Sequence, residues 1–308
     1  MFHKESFYHI YINDSTKESK GNKISNHEYP AKITIKIDNK FKSLFGLFRN
    51  CKSIKKIKFI RFNRIDINNM SYMFSEYPNL IEIDISNFNT NNVKDMSNMF
   101  LNCPSLKELI LSNFNTDKVK DMSSMFSGCY LLENLDLSNF NTHNVVNMCK
   151  MFRNCSSLKK LDLSNFNTIN ANNMNCMFQG CSSLKELILS NFSTINVTNI
   201  NCMFHGCSSL KELNLSSINT SNVKYVSYMF RGCSSLKELD LSSFNSINVT
   251  NMFWMFEGCS SLEELNLSNF NTKNVTDMEG MFYGCSAQFK NKIRAQYKNI
   301  KDEAFDYY

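Results

Sequence analysis

Cysteine and histidine are the side chains in this sequence with the most chemistry to offer: twelve cysteines and five histidines occur in 308 residues. Cys202-x-x-His205-x-Cys207 sets sulfur and imidazole at a spacing that could begin a zinc site, which normally needs four such donors. A four-ligand set is not apparent around it, and Cys207 belongs to a separate, regularly spaced series. His3, His9, His27 and His143 are scattered. No nucleophile–base pairing or phosphate-cradling glycine loop accompanies them. An enzyme or metal site near Cys202 and His205, or in the unpatterned termini, is therefore the rival reading. No metal, cofactor or catalytic residue is assigned.

The spacing of the cysteines points elsewhere. Cys51, Cys103, Cys129, Cys155, Cys181, Cys207, Cys233, Cys259 and Cys285 recur with a 26-residue period, and Tyr77 fills the one gap. Self-similarity at such a period marks a solenoid whose units bury their apolar faces against their neighbours. Each of these cysteines must face as its neighbours do, and a free cysteine is among the most buried residue types. Reduced thiols in a cytoplasmic chain are the expectation. Met1 to Lys20 lacks the apolar stretch of a secretory signal, and no run of 18 apolar residues occurs. Cys149, Cys176 and Cys202 leave the series. The last two, one repeat apart on an outward face, could pair under oxidation.

The elements that must position these residues can be read from one unit, Cys233 to Gly258. Leu236, Leu239 and Leu241 alternate into a short strand, and Phe244 is the next inward aromatic. Val249, Met252, Met255 and Phe256 then fall at i, i+3, i+6 and i+7, which predicts one face of a short helix. Asn248 is placed to cap it, and Gly258 to end it in a left-handed conformation. The expected fold is an α/β solenoid, with a parallel β-sheet on the concave face and short helices on the convex face. Residues 51–284 form nine repeats. A capping half-repeat spans 26–50, a loosely ordered segment 1–25, and a capping helix with Phe289, Ile293, Tyr297 and Ile300 on its apolar stripe lies in 285–308.

Charge is unevenly distributed although the whole chain carries only +6. From Lys32 to Arg64 eleven Lys or Arg face Asp38 alone. Lys52, Lys55, Lys56, Lys58, Arg61 and Arg64 form a basic patch suited to weak contact with an anionic surface, or simply to solubilising a solenoid end. Without a nucleic-acid motif, specific DNA or RNA binding is not expected. Along the outward strand positions run acidic columns, with Glu82, Glu108, Glu186, Glu212, Glu238 and Glu264 in one, and Asp84, Asp136, Asp162 and Asp240 in the next. Strands about 4.8 Å apart stack these like charges closely. They read either as a concave surface for a basic protein partner or as a solvated face.

The string LxxLxL…F…V…M..MF.GC, as in Met125-Phe126-Ser127-Gly128-Cys129 and Asn269 to Met278, resembles the leucine-rich repeat, and within it the 26-residue subclass of BspA-like surface proteins. The resemblance covers about three quarters of the chain. It implies a right-handed parallel-β solenoid that binds proteins or adheres to surfaces, and it carries over no catalytic residues. A non-enzymatic, monomeric protein-interaction module is the resulting expectation, with a cell-surface location implied by resemblance alone.

Overall fold

In the computed structural model, the described residues are Tyr8–Ile12, Ile33–Ile37, 41–59, 62, 64–306. Strands β1 (Tyr8–Ile12) and β2 (Ile33–Ile37) pair antiparallel, with Tyr8 opposite Ile37 and Ile12 opposite Ile33. Residues 8–12, which carry no period in the sequence, are thus in a strand. From residue 41 onward the chain coils into a parallel β-solenoid.

Short strands line one face: β3 (Lys56–Lys58), β4 (Glu82–Asp84), β5 (Glu108–Ile110), β6 (Lys160–Asp162), β7 (Glu186–Ile188), β8 (Glu238–Asp240) and β9 (Glu264–Asn266). They pair parallel and in register at a 26-residue offset within three groups, β3–β4–β5, β6–β7 and β8–β9, as in Lys56–Glu82–Glu108 and Glu238–Glu264. The central residue of each strand points inward: Ile83, Leu161, Leu187, Leu239 and Leu265 are buried while their flanks stay wholly or partly exposed. A second ladder of parallel bridges runs without interruption from Ser43 through Asn69, Asp95, Asp121, Asn147, Asn173, Asn199, Tyr225 and Asn251 to Asp277. One register is held over its whole length.

The expected convex helices are not formed. Val249, Met252, Met255 and Phe256 are buried as their spacing requires, but the backbone carrying them is a chain of turns. In the equivalent stretch the N–H groups of Met70, Tyr72, Phe74 and Glu76 donate to Asp95, Ser97, Met99 and Leu101 of the next repeat, at 2.7–3.0 Å. Between them Met73 and Ser75 close turns onto Met70 and Tyr72. Positive φ at Tyr72 and Glu76 interrupts any continuous right-handed helix. A helix this short is marginal by itself, whereas bonds to the neighbouring coil satisfy the same backbone groups and extend the stack. Turns recurring every three or four residues bury the same positions as a helical face. Asn248, expected as a cap, instead donates its side-chain amide to Ser221 O of the preceding repeat (2.6 Å), and Asn92, Asn144, Asn170, Asn196, Asn222 and Asn274 do the equivalent. The glycine assignment holds: Gly258 has φ +70°, with Gly232 Cα only 3.7 Å from where its Cβ would stand.

Three features knit the core. Phe74, Phe100, Phe126, Phe152, Phe178, Phe204, Phe230, Phe256 and Phe282 stack in one column, centroids 5.3–5.9 Å apart and planes within 14°. Every ladder cysteine from Cys103 to Cys285 donates its S–H to a phenylalanine carbonyl 29 residues earlier, at 3.1–3.4 Å. A buried hydroxyl column links successive coils twice over: Thr168 Oγ1 donates to Ser193 O and accepts from Ser193 N, both at 2.7 Å, and Thr90, Thr116 and Ser246 repeat the exchange.

The C-terminal end is closed by imitation of a further coil. Helix α1 (Ala287–Gln296), capped by Ser286 Oγ on Phe289 N, buries Phe289 and Ile293. Tyr297 Oη accepts from Leu267 N and donates to Leu265 O, occupying the open edge of β9. Gly280 and Phe282 N–H donate to Glu303 and Ala304, and Phe305 stacks on Phe282. At the other end Leu44, Gly46, Phe48 and Asn50 join the turn ladder. No helix among the described residues is long and apolar enough to cross a membrane.

Candidate partner-binding surface

The parallel register sorts the acidic candidates into two chemically different columns. Asp84, Asp162 and Asp240 end β4, β6 and β8, Asp136 holds the equivalent position in its repeat, and each accepts the backbone N–H of the serine two residues on, at 3.1, 2.9, 2.9 and 2.8 Å. The Ser86 hydroxyl together with its N–H, and the N–H groups of Ser138, Ser164 and Ser242, hold the four carboxyls below the usual aspartate range. Asn214 and Asn266 make the same turn bond without a charge, so where the column is polar it supplies a turn acceptor, while Ile110 and Ile188 hold the same position without one.

The glutamate column has no such backbone duty, and its members fare differently along the solenoid. Glu82 is tied to Lys56 at 2.5 Å, and beside it Asp84 lies 3.5 Å from Lys58. Glu186 pairs with Lys160 at 2.6 Å, and Glu264 with Lys292 of the C-terminal helix. Glu108, Glu212 and Glu238 are exposed and have no ion-pair partner among the described residues. Paired and unpaired glutamates thus alternate along the column, and Glu212 and Glu238 are the two unpaired ones in successive repeats, with exposed Lys211 and Lys237 preceding them in sequence.

There the strand face deepens into a groove of about 610 Å3. Glu212, Glu238, Asp240 and Glu264 line it, edges of Leu213, Leu239 and Leu265 contribute apolar surface, and Tyr297 and Gln296 bound it. The Tyr297 hydroxyl is held by the β9 edge, which fixes that boundary. Sequence reasoning did not single out Tyr297 or Gln296 for this surface. Their part arises from where the capping helix lands, for which the repeat contains no signal.

The basic patch is partly spent. Lys56 and Lys58 serve the pairs just described, and Arg64 bonds Asp66 (2.9 Å) and the Phe41 carbonyl. Lys52 and Lys55 are exposed. Arg61 lies outside the described residues. The register thus joins two patches that looked independent, because β3 presents its lysines directly to the acids of β4.

Cys202 and His205 are not gathered into a ligand set with Cys207. Cys207 is fully buried and donates to Phe178 O at 3.2 Å. His205 Nδ1 is 3.2 Å from Gln179 Nε2, its ring stacks on Tyr228, and burial together with Arg231 lowers its pKa. Among the described residues no group of three or more His, Cys, Asp or Glu is arranged to hold a metal ion.

The family described as "Mycoplasma protein of unknown function, DUF285" matches in three overlapping stretches, residues 42–135, 109–188 and 183–297. Among curated proteins none matches. Solved structures similar to the chain include a leucine-rich repeat protein from Bacteroides ovatus, 18% identical over 86% of both chains with a TM-score of 0.34. One from Eubacterium ventriosum is 15% identical over 78% of both chains, TM-score 0.38. The T. pallidum leucine-rich repeat protein is 22% identical over 53% of this chain and 81% of its own, TM-score 0.33.

Proposed function

The chain belongs to the DUF285 repeat family, and from the surface its repeats build we propose that it is a non-enzymatic protein-interaction module that takes a basic segment of a protein partner into the C-terminal part of its strand face. One observation carries this reading: Glu212 and Glu238 stand unpaired in a groove whose other acids are either ion-paired or committed to turns. Like charges on adjacent strands cost stability, and a cationic partner offsets that cost. The concave face of a solenoid is also its most extended rigid surface. The BspA-like wording of the repeat supports an adhesive role as the finer form of this proposal. The ladder of S–H donors, which oxidation would break, supports a reducing, cytoplasmic setting over the cell surface.

The test is a binding titration with a fluorescent Lys/Arg-rich peptide as probe. Glu212→Lys with Glu238→Lys touches no buried residue and is expected to slow association and to flatten its dependence on salt, because surface charges act mainly through steering. Unchanged binding and an unchanged salt dependence in that variant would contradict the proposal.

A further inference from the structure

Cys176 and Cys202 occupy the same position of successive repeats, both with φ of +56°. The turn ladder fixes them there: Cys176 N–H donates to Asn201 O and Cys202 N–H to Ser227 O, each at 2.9 Å. One coil therefore sets its thiol beside that of the next. Adjacent coils at strand-like separation meet the Cα spacing that a disulfide requires, about 4.4–6.8 Å. Both side chains are only partly buried, so a small reagent can reach them. Lys150 and Arg153 lie near Cys176, with Arg231 near Cys202.

The ladder cysteines are also one repeat apart, yet they differ in every respect that governs reactivity. Each ladder S–H from Cys103 onward is committed to a carbonyl, each of those side chains is buried, and burial pushes each thiol up. At this pair the neighbouring Cys202 thiol, with Lys150 and Arg153 beyond it, pulls the Cys176 thiol down to about 7. The neighbouring Cys176 thiol and its own partial burial push the Cys202 thiol up. Cys149, the third cysteine on this face, is raised by burial. The thiolate is the reactive form, and Lys150 and Arg153 beside Cys176 favour it there.

We propose that Cys176 and Cys202 form a redox-reactive dithiol, in which Cys176 reacts with a hydroperoxide and Cys202 closes the disulfide. The Cys176 thiolate attacks the terminal peroxide oxygen. An S–O bond forms, the O–O bond breaks, and the displaced alkoxide takes up the proton that left Cys176. The sulfur of Cys202 then attacks the sulfenic sulfur of Cys176. An S–S bond forms, the S–O bond breaks, and hydroxide leaves as water with the Cys202 proton. Two thiols are oxidised, and the hydroperoxide is reduced to an alcohol with release of water. The resulting bridge staples two coils across the turn face without disturbing the core ladder.

The experiment is peptide mapping of the reduced full chain after a stoichiometric dose of hydrogen peroxide, with alkylation under denaturing conditions. The expected product is one disulfide joining the peptides that carry Cys176 and Cys202, with Cys103 and the later ladder thiols all alkylated. In Cys202→Ser, dimedone should trap a sulfenic acid at Cys176. In Cys176→Ser, dimedone labelling of Cys202 should fall by about tenfold or more, because the thiolate is the nucleophile. Thermal melts of both variants verify the fold, and the wild-type map stands without either. Disulfides scattered over the ladder, equal labelling of Cys149, Cys176 and Cys202, or an unoxidised Cys176–Cys202 pair in the wild type would overturn the proposal.

Discussion

Lys56 Nζ lies 2.5 Å from Glu82 Oε2, one repeat away on the neighbouring strand. This pair, repeated beside it by Lys58 and Asp84, joins the most basic segment of the chain to the start of its acidic columns. The strand face consequently carries ion-paired glutamates at Glu82, Glu186 and Glu264 and unpaired ones at Glu108, Glu212 and Glu238, of which the last two lie together in the groove. The binding proposal depends on that adjacency, which follows from the repeat register rather than from net charge.

The aromatic column should govern stability. Phe178 is fully buried and lies between Phe152 and Phe204, at 5.7 and 5.6 Å with nearly parallel rings. Phe178→Ala is expected to cost about 3–5 kcal/mol, as for other buried aromatics. Urea unfolding measures it, and a near-neutral result would contradict the stacking.

How much of this was legible in the sequence depends on what the period encodes. Leu239, Phe244, Val249, Met252, Met255 and Phe256 are inward as their spacing implied, because burial repeats with the coil. The same spacing suggested helices where the backbone makes turns: both bury every third or fourth residue, and only the inter-coil bonds of residues such as Tyr72 and Phe74 distinguish them. The aspartate column looked like a binding feature, yet Asp136 and Asp162 are turn acceptors. The Asp-to-Asn exchange at Asn214 and Asn266 was the available clue. The pairing of Lys56 with Glu82 needed the register, and the role of Tyr297 needed the docking of the last helix. Neither is carried by a single repeat.

The threonine column, also unread in the sequence despite its regular spacing, gives a sharp test. Thr168→Val removes a buried hydroxyl that both donates to and accepts from Ser193. Each group left without a partner is expected to cost about 1–3 kcal/mol. Thr168→Ser, which copies Ser246 in the same column, should retain most of the stability. Equal losses in the two variants would mean that the methyl group, not the hydroxyl, is what the column needs.

Alkaline pH should weaken the fold through the cysteine ladder. Burial holds Cys103, Cys181, Cys233 and Cys285 at about 12 and raises Cys129, Cys155, Cys207 and Cys259 as well. In the unfolded chain a thiol titrates near ~8.5. Between those values the folded state binds more protons, so stability is full below ~8.5 and falls as pH rises, by up to about 1.4 kcal/mol per thiol per pH unit. Urea midpoints between neutral pH and pH ~10 should drop steeply, and less steeply in Cys181→Ala. A midpoint independent of pH in that window would mean that the thiols are not buried as donors.

The account's central claim concerns where a basic segment docks, and hydrogen exchange of the full chain with the Lys/Arg-rich peptide bound reads it residue by residue. The predicted result is slowed exchange in Glu212–Ser216 and Glu238–Ser243, the backbone lining the groove, with Lys52–Lys58 and the turn face unchanged. Protection confined to Lys52–Lys58, or to the turn face around Cys176 and Cys202, would contradict it.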